Sequence, residues 1–264
     1  MVYKVSKSIL DLDKTFNCGQ CFSWFKYNGS WYGFIQGKSV KLTQHPDYVE
    51  IDGAISPEEF RYYFDLWTLY RFEDLTDYER RVVSAGAGIR ILRQPIFDTI
   101  ITFIISQQNN MVRIRKLVQK LCETYGSVGY KDGIALYSFP YREALLGCSE
   151  ESLREMGMGY RAKYIAEFVH SARAGDHYWY LGLTENGYDY AIAELKKIYG
   201  VGDKVANCIA LFGCGYKEAF PIDVHMKRIL EREYKGNVSA GHLEFNGLAG
   251  VMQQYMFYAE AFGK

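Results

Sequence analysis

The chain has 264 residues, 48% of them hydrophobic, with 31 lysines and arginines against 31 aspartates and glutamates. That is enough apolar material for a sizeable core divided among one to three subdomains. Zero net charge excludes a protein that grips polyanions by bulk electrostatics, so any contact with nucleic acid must come from local placement of charge.

The first residues, MVYKVSKSILDLDKTF, lack the apolar core of a secretion signal, and no run of 18 apolar residues occurs anywhere. Neither export nor a membrane span is expected. The expected location is the cytoplasm, within the nucleoid if the source is a prokaryote, with reduced thiols. Residues 1 to about 55 read as strands, because aromatic and β-branched residues alternate with turn signals at Asn28-Gly29, Gly33, Gly37, His45-Pro46 and Asp52-Gly53. Asn28-Gly29 between FSWFKY and SWYGFIQ is a strong hairpin signal. Gly19, between two such runs, reads from local pattern alone as a turn residue. Cys18 and Cys21 form a lone C-x-x-C among six scattered cysteines, which falls short of the four ligands zinc takes; no metal site is expected.

Ser56-Pro57-Glu58-Glu59 starts a helix by N-cap, proline at N1 and early acids. Residues 57–93 read as helical in pieces, interrupted at Gly86-Ala87-Gly88. The expected division is a sheet domain with flanking helices over 1–90 and a helical region over 91–264, the latter in two subdomains with a cleft between them. Pro95 opens a strongly apolar helix, Ile96 to Ile105, which ends at Ser106-Gln107-Gln108-Asn109-Asn110. Four consecutive amides make a poor helix interior and a good polar tip. Arg113, Arg115, Lys116 and Lys120 then share a helix with an apolar side of Ile114, Leu117, Val118 and Leu121.

Residues 126–151 read as loop and short helical pieces. Met156-Gly157-Met158-Gly159-Tyr160-Arg161-Ala162-Lys163-Tyr164 follows, glycines leading into a helix that opens with an aromatic and two cations. Such an arrangement suits a phosphate or base contact. Tyr188, Ala191, Ile192, Leu195 and Ile198 recur at helical spacing. Gly200-Val201-Gly202 breaks that helix, and a second carries Val205, Ile209 and Phe212 on its apolar side. The turn would aim free N–H groups outward at a new helix N-terminus, which attracts phosphate. Lys204 lies in the first turn of the second helix, and Cys208 stands one turn on over the same face. Asp223, 19 residues after the lysine, precedes the periodic run Val224 to Leu230 and reads as an N-cap. His242 to Phe262 reads as a last helix, on which Gln253 and Phe257 share a face.

G-V-G-x-K-V-A followed by P-I-D-V-H resembles the helix-hairpin-helix DNA glycosylase superfamily, most closely its 8-oxoguanine branch. The resemblance spans Asn17 to Phe257 and is most specific over Gly200 to His225. It departs at Tyr199, where the family often has proline, and at Gln108, where it has the first of three asparagines. The fold it implies is α+β: an N-terminal twisted antiparallel sheet followed by mainly helical domains that carry the hairpin.

The implied activity is excision of 8-oxoguanine from duplex DNA, with Lys204 attacking C1′ to form a Schiff base that permits β-elimination, and Asp223 as its carboxylate partner. The Gly19 carbonyl would accept the N7–H that guanine lacks. Gln253 would bind the Watson–Crick edge, with Phe257 and Cys208 on the two faces of the base. Gln108, Asn109 and Asn110 would fill the gap left by the extruded base, and Tyr160 would wedge into the stack. Arg113 and Arg161 would read the orphaned partner, while Gly200, Gly202 and His225 would face phosphate. No cofactor is required; a structural monovalent cation at the hairpin carbonyls is the one ion the resemblance implies. The expected partner is double-stranded DNA containing oxidised guanine, and the expected state a monomer. The chain end carries no cysteine cluster, which disfavours the iron–sulfur branches. Two alternatives stay open: a lysine-dependent glycosylase for another oxidised base, and a helix-hairpin-helix binding module without catalysis, which would need no Asp223.

Overall fold

The computed structural model describes residues 2–235 and 245–262. The α+β expectation holds. Five strands, β1 (Val2–Ser6), β2 (Phe25–Tyr27), β3 (Ser30–Ile35), β4 (Lys38–Gln44) and β5 (Tyr48–Gly53), form one antiparallel sheet in the order β1-β5-β4-β3-β2. Asn28 (φ 45°) and Gly29 (φ 80°) make the two-residue turn that opposes Tyr27 to Ser30. Positive φ at both central residues matches the strand twist, which is why this dipeptide was legible.

Two expectations in this part fail. Residues 12–17 are a helix: the Asp11 carboxylate accepts from the Lys14 N–H and starts α1 (Leu12–Asn17), which sends Leu12 and Phe16 into the core of the sheet. Gly19 therefore follows a helix rather than joining two strands. Gly33 is not a turn residue. It pairs with Val40 inside β3, and a Cβ there would lie 2.4 Å from the Trp24 ring. Phe16 packs on Trp24 and Trp31 at ring distances of 4.7 and 4.8 Å, so aromatic burial organises this core. α2 (Pro57–Tyr63) closes it, started by a capping box between Ser56 and Glu59.

The second core is helical. α3 (Asp77–Gly86) lies before residue 90 in sequence but packs along α13 (Ala249–Phe262), where a Cβ on Gly86 would meet the Tyr255 side chain at 2.3 Å. The buried α4 (Ile96–Ser106) runs through the middle, followed by α5 (Met111–Tyr125). Residues 128–137 form a hairpin, β6 (Val128–Lys131) and β7 (Ile134–Tyr137), where loop was expected. These strands are mostly exposed, so burial imposed no hydrophobic alternation to read. Ion pairs Lys41–Asp132 (2.6 Å) and Lys131–Asp52 (2.8 Å) tie the hairpin to the main sheet.

Short helices α6 (Arg142–Leu145) and α7 (Glu150–Glu155) lead to α8 (Arg161–His170), α9 (His177–Glu185) and α10 (Tyr188–Leu195). α11 (Asp203–Ile209) continues into a π-helical turn, Ala210–Cys214, and α12 (Val224–Tyr234) follows. The last helix begins at Ala249 rather than near His242, which lies outside the described residues. Among the described residues, no helix is long and apolar enough to cross a membrane.

Asp65 ties the two cores together. It is 2% exposed and receives Arg93 at 2.9 Å, Lys217 at 3.2 Å, and the hydroxyls of Thr68 and Tyr70 at 2.9 and 3.0 Å. Desolvation alone would raise its carboxyl, but Lys217 and Arg93 outweigh that and hold it below the usual carboxylate range.

Candidate active site

Gly200 adopts φ 83°, and a Cβ on it would lie 2.4 Å from the Tyr164 ring. The hairpin is thus pressed against α8, and only glycine fits the contact. Tyr199 stands edge-on to Tyr164 at 5.0 Å. Gly202 is the N-cap of α11 and brings no capping side chain, so the first N–H groups of the helix stay free. Lys204 therefore emerges from an uncapped, positive helix end, 5.4 Å over the Phe103 ring of α4. Cys208, one turn on, is 3% exposed; burial pushes its thiol up, while the neighbouring lysine pulls the other way.

Asp223 caps α12, its carboxylate accepting the Met226 N–H at 2.8 Å. Lys204 and Asp223 line one cavity of about 750 Å³, within the usual range of small-ligand sites of roughly 300–1,000 Å³. Gly19, Cys208, Gln253, Phe257 and His225 line the same cavity, as do Asn109 and Asn110. Gly19 has φ 83°, and a Cβ there would lie 3.4 Å from the Phe257 ring, so glycine brings the backbone of the sheet domain up to α13. Gln20 holds that loop down from below. Its amide donates to the Arg90 carbonyl (2.8 Å) and accepts the Leu92 N–H (2.9 Å). The His225 ring is edge-on to Phe257 at 6.4 Å.

The remaining expected residues are not among those that line the cavity. Gln108 is exposed with φ 45°, a left-handed conformation that asparagine adopts more readily than glutamine. Asn110 caps α5 by accepting the Arg113 N–H at 2.9 Å, and the Arg113 side chain is exposed. Tyr160 is 39% exposed at the start of α8. Arg161 differs from an exposed reader of bases. It is 5% exposed, and its guanidinium donates to the carbonyls of Gln107 and Gln108. Gln107, which no local signal singled out from the amide run, donates its own side chain to the Gly200 carbonyl at 2.9 Å. Arg161 and Gln107 thereby join the amide loop, the hairpin and α8 into one rigid surface.

Also unanticipated were Phe103, Met111 and Gln254 in the cavity wall. Cys18 and Cys21 are both buried, and burial pushes the Cys18 thiol up to about 12. Among the described residues, no group of three histidine, cysteine or acidic side chains could hold a metal.

Residues 101–242 match the profile of the HhH-GPD superfamily of base excision DNA repair proteins. Residues 2–100 match that of the 8-oxoguanine DNA glycosylase N-terminal domain. The N-glycosylase/DNA lyase OGG1 of Arabidopsis thaliana is 34% identical over an alignment covering 97% of this chain and 79% of that protein. The structure of MBOgg1 in complex with a low-affinity DNA ligand superposes with a TM-score of 0.87 at 30% identity, covering 100% of this chain and 96% of the other. The Clostridium acetobutylicum 8-oxoguanine glycosylase/lyase, in complex with duplex DNA containing cytosine opposite 8-oxoguanine, gives 0.85 at 30% identity, covering 100% and 99%.

Proposed function

The chain belongs to the HhH-GPD superfamily of base excision DNA repair proteins, in its 8-oxoguanine glycosylase branch, and from that premise we propose how its residues carry out the reaction. The protein is a bifunctional N-glycosylase/DNA lyase that removes 8-oxoguanine from duplex DNA. The observation that carries the mechanism is convergence. Lys204, Asp223, Gly19 and Gln253, drawn from four separate parts of the chain, line one cavity.

The lesion is extruded from the duplex at a cost of roughly a few kcal/mol. Gln108 and Tyr160 offset this by filling the gap, and the free N–H groups after Gly202 hold backbone phosphate together with His225. The base enters between Cys208 and Phe257. The Gly19 carbonyl accepts its N7–H, and Gln253 takes the Watson–Crick edge. Arg113, exposed beside the amide loop, faces the orphaned partner base, and Arg161 keeps that loop in place.

The Lys204 amine, in its neutral form, attacks C1′. The C1′–N9 bond breaks, its electron pair leaves with the base, and the base takes up a proton. The Asp223 carboxylate stabilises the positive charge that develops on the sugar. Opening of the sugar ring gives a Schiff base on Lys204. Loss of a C2′ proton then expels the 3′ phosphate, and hydrolysis frees the lysine. No cofactor takes part. A monovalent cation at the carbonyls of Tyr199 to Val201 would be structural, and the Gly200 carbonyl there already accepts from Gln107. The enzyme acts as a monomer on double-stranded DNA, in the cytoplasm at the nucleoid if the source is a prokaryote.

Borohydride reduction during turnover tests this reading. The expected result is a covalent adduct on an 8-oxoguanine duplex that maps to Lys204. An adduct at another lysine would overturn the assignment, and faster excision of an oxidised pyrimidine across a lesion panel would reassign the pocket.

A further inference from the structure

A second cavity, also of about 750 Å³, lies where the main sheet, the hairpin β6–β7 and the helices meet. Nine of its lining residues are aromatic, among them Phe34, Phe97, Phe139 and Tyr180. Asp98, in the first turn of α4, lines it together with Thr102, one turn on. Residues four apart share a helix face, so this face of α4 looks into the cavity. Asp98 is half-buried and forms no ion pair among the described residues. The one donor its carboxylate meets there is its own backbone N–H.

An acid at the third position of a helix usually closes a capping box, but the N-cap here is Pro95, which has no N–H to give. The two arginines on the cavity wall are engaged elsewhere. Arg93 donates to the Asp65 carboxylate at 2.9 Å, and Arg142 donates its Nε to the Val169 carbonyl at 2.9 Å. Desolvation without a cation pushes the Asp98 carboxyl up to about 8. The helix dipole favours an acid at this end only while the acid is charged. Asparagine would serve the fold at least as well, so folding does not account for an acid here.

A carboxylate attracts a cation, and so do the faces of aromatic rings. We propose that this cavity binds a small organic cation, an amine or amidine with an apolar body. Its charged head pairs with the Asp98 carboxylate, and its body lies among the aromatic walls. The site is separate from the cavity that holds Lys204 and Asp223, with Phe22 in the wall of both. It stands whether or not that other cavity receives 8-oxoguanine.

The probe is benzamidine, whose planar amidinium can pair with a carboxylate through two parallel N–H···O bonds. Isothermal titration of the wild type should show one saturable site. Asp98→Asn should weaken binding by about ten- to a hundredfold, the effect of losing hydrogen bonds between charged groups. Its thermal midpoint should equal or exceed that of wild type, because a desolvated acid has been removed. Tyr141→Ala, at a wall residue 65% exposed, spares the core and should weaken binding by a smaller factor. Asp223→Asn, which removes the carboxylate of the other cavity, should bind as wild type does. Wild-type affinity should also rise from about pH 6 to about pH 8, since the amidinium binds the ionised acid, and stay flat in Asp98→Asn. No histidine lines the cavity; its other charged residues are Arg93, Arg142 and Glu143, and burial pushes Tyr63, Tyr180 and Cys214 upward, away from that range. Absence of saturable binding would overturn the proposal, as would an affinity unchanged in Asp98→Asn and Tyr141→Ala. Binding lost in Asp223→Asn and kept in Asp98→Asn would place the probe in the other cavity and overturn it equally.

Discussion

Asp65 and Asp223 are two aspartates at turns, and the fold treats them differently. Asp65 is surrounded by Arg93, Lys217, Thr68 and Tyr70, and Arg90 approaches to 4.0 Å. Asp223 accepts one backbone N–H at the start of α12 and opens onto a cavity. No ion pair among the described residues involves Asp223 or Lys204. Where charge joins the two cores, the structure neutralises it. Where charge faces the cavity proposed to receive the base, the structure leaves most of its bonding capacity free. Substitutions at the first place should therefore reach stability and spare chemistry, and substitutions at the second should do the reverse.

The largest expected effect is at Lys204. Lys204→Gln should abolish both borohydride trapping and strand nicking, because an amide cannot form a Schiff base, while lesion binding and the melting temperature stay near wild type. A variant that still traps would end the comparison, since its reactive centre would lie elsewhere. Asp223→Asn comes next. It keeps a capping side chain, so folding should survive. Loss of the charge should slow base release by about a hundred- to a thousandfold, read by single-turnover excision. Near-normal release by a folded Asp223→Asn protein would make Asp223 a cap and nothing more.

At the paired site the expected effect is on stability. Asp65 has φ 50°, a conformation asparagine tolerates, so Asp65→Asn isolates the charge from the backbone. Breaking a buried pair costs about 3 kcal/mol, at the lower end of the usual range because Arg93 and Lys217 reach solvent. For a chain of this size that is a fall of roughly 6–12 °C in melting temperature. Excision per folded molecule should not change; a matching loss of rate would mean that the joint between the cores also sets the geometry of the cavity.

The smallest effect is in acid. The Asp65 carboxyl is held below its unfolded value of about 3.9. Its contribution is therefore fully present above that pH and is lost as pH falls through the folded value. Denaturation profiles from pH 6 down to pH 2 should show a shallower acid slope in Asp65→Asn than in wild type. Identical slopes would assign acid unfolding to other carboxylates.

Much of the fold was legible in the sequence because its signals are local. Asn28-Gly29 dictates a primed turn, Ser56 and Glu59 form a capping box, Asp223 caps α12, and Gly200 tolerates a φ closed to other residues. Each of these works through atoms within about four residues of the signal. The same holds for the spacing of Lys204, Cys208 and Asp223 about two helix N-termini. The hairpin β6–β7 was not legible, since its strands are too exposed to require alternation. Neither was α1, where Asp11 began a helix inside a stretch rich in strand formers.

What the sequence determined by itself is the set of chemical groups and the local turn, cap or helix face that presents each of them. Only the tertiary structure decided which groups meet. Gly19 approaches Phe257 because glycine lets the sheet domain close on α13. Arg161 turns inward onto the amide loop, where its guanidinium donates to the carbonyls of Gln107 and Gln108. Gln254 has a buried oxygen without a partner among the described residues because its neighbour's amide takes its donor and packing has closed over the rest. These meetings depend on how helices far apart in the chain pack against each other, and side-chain volume and burial settle that packing, which no local spacing encodes.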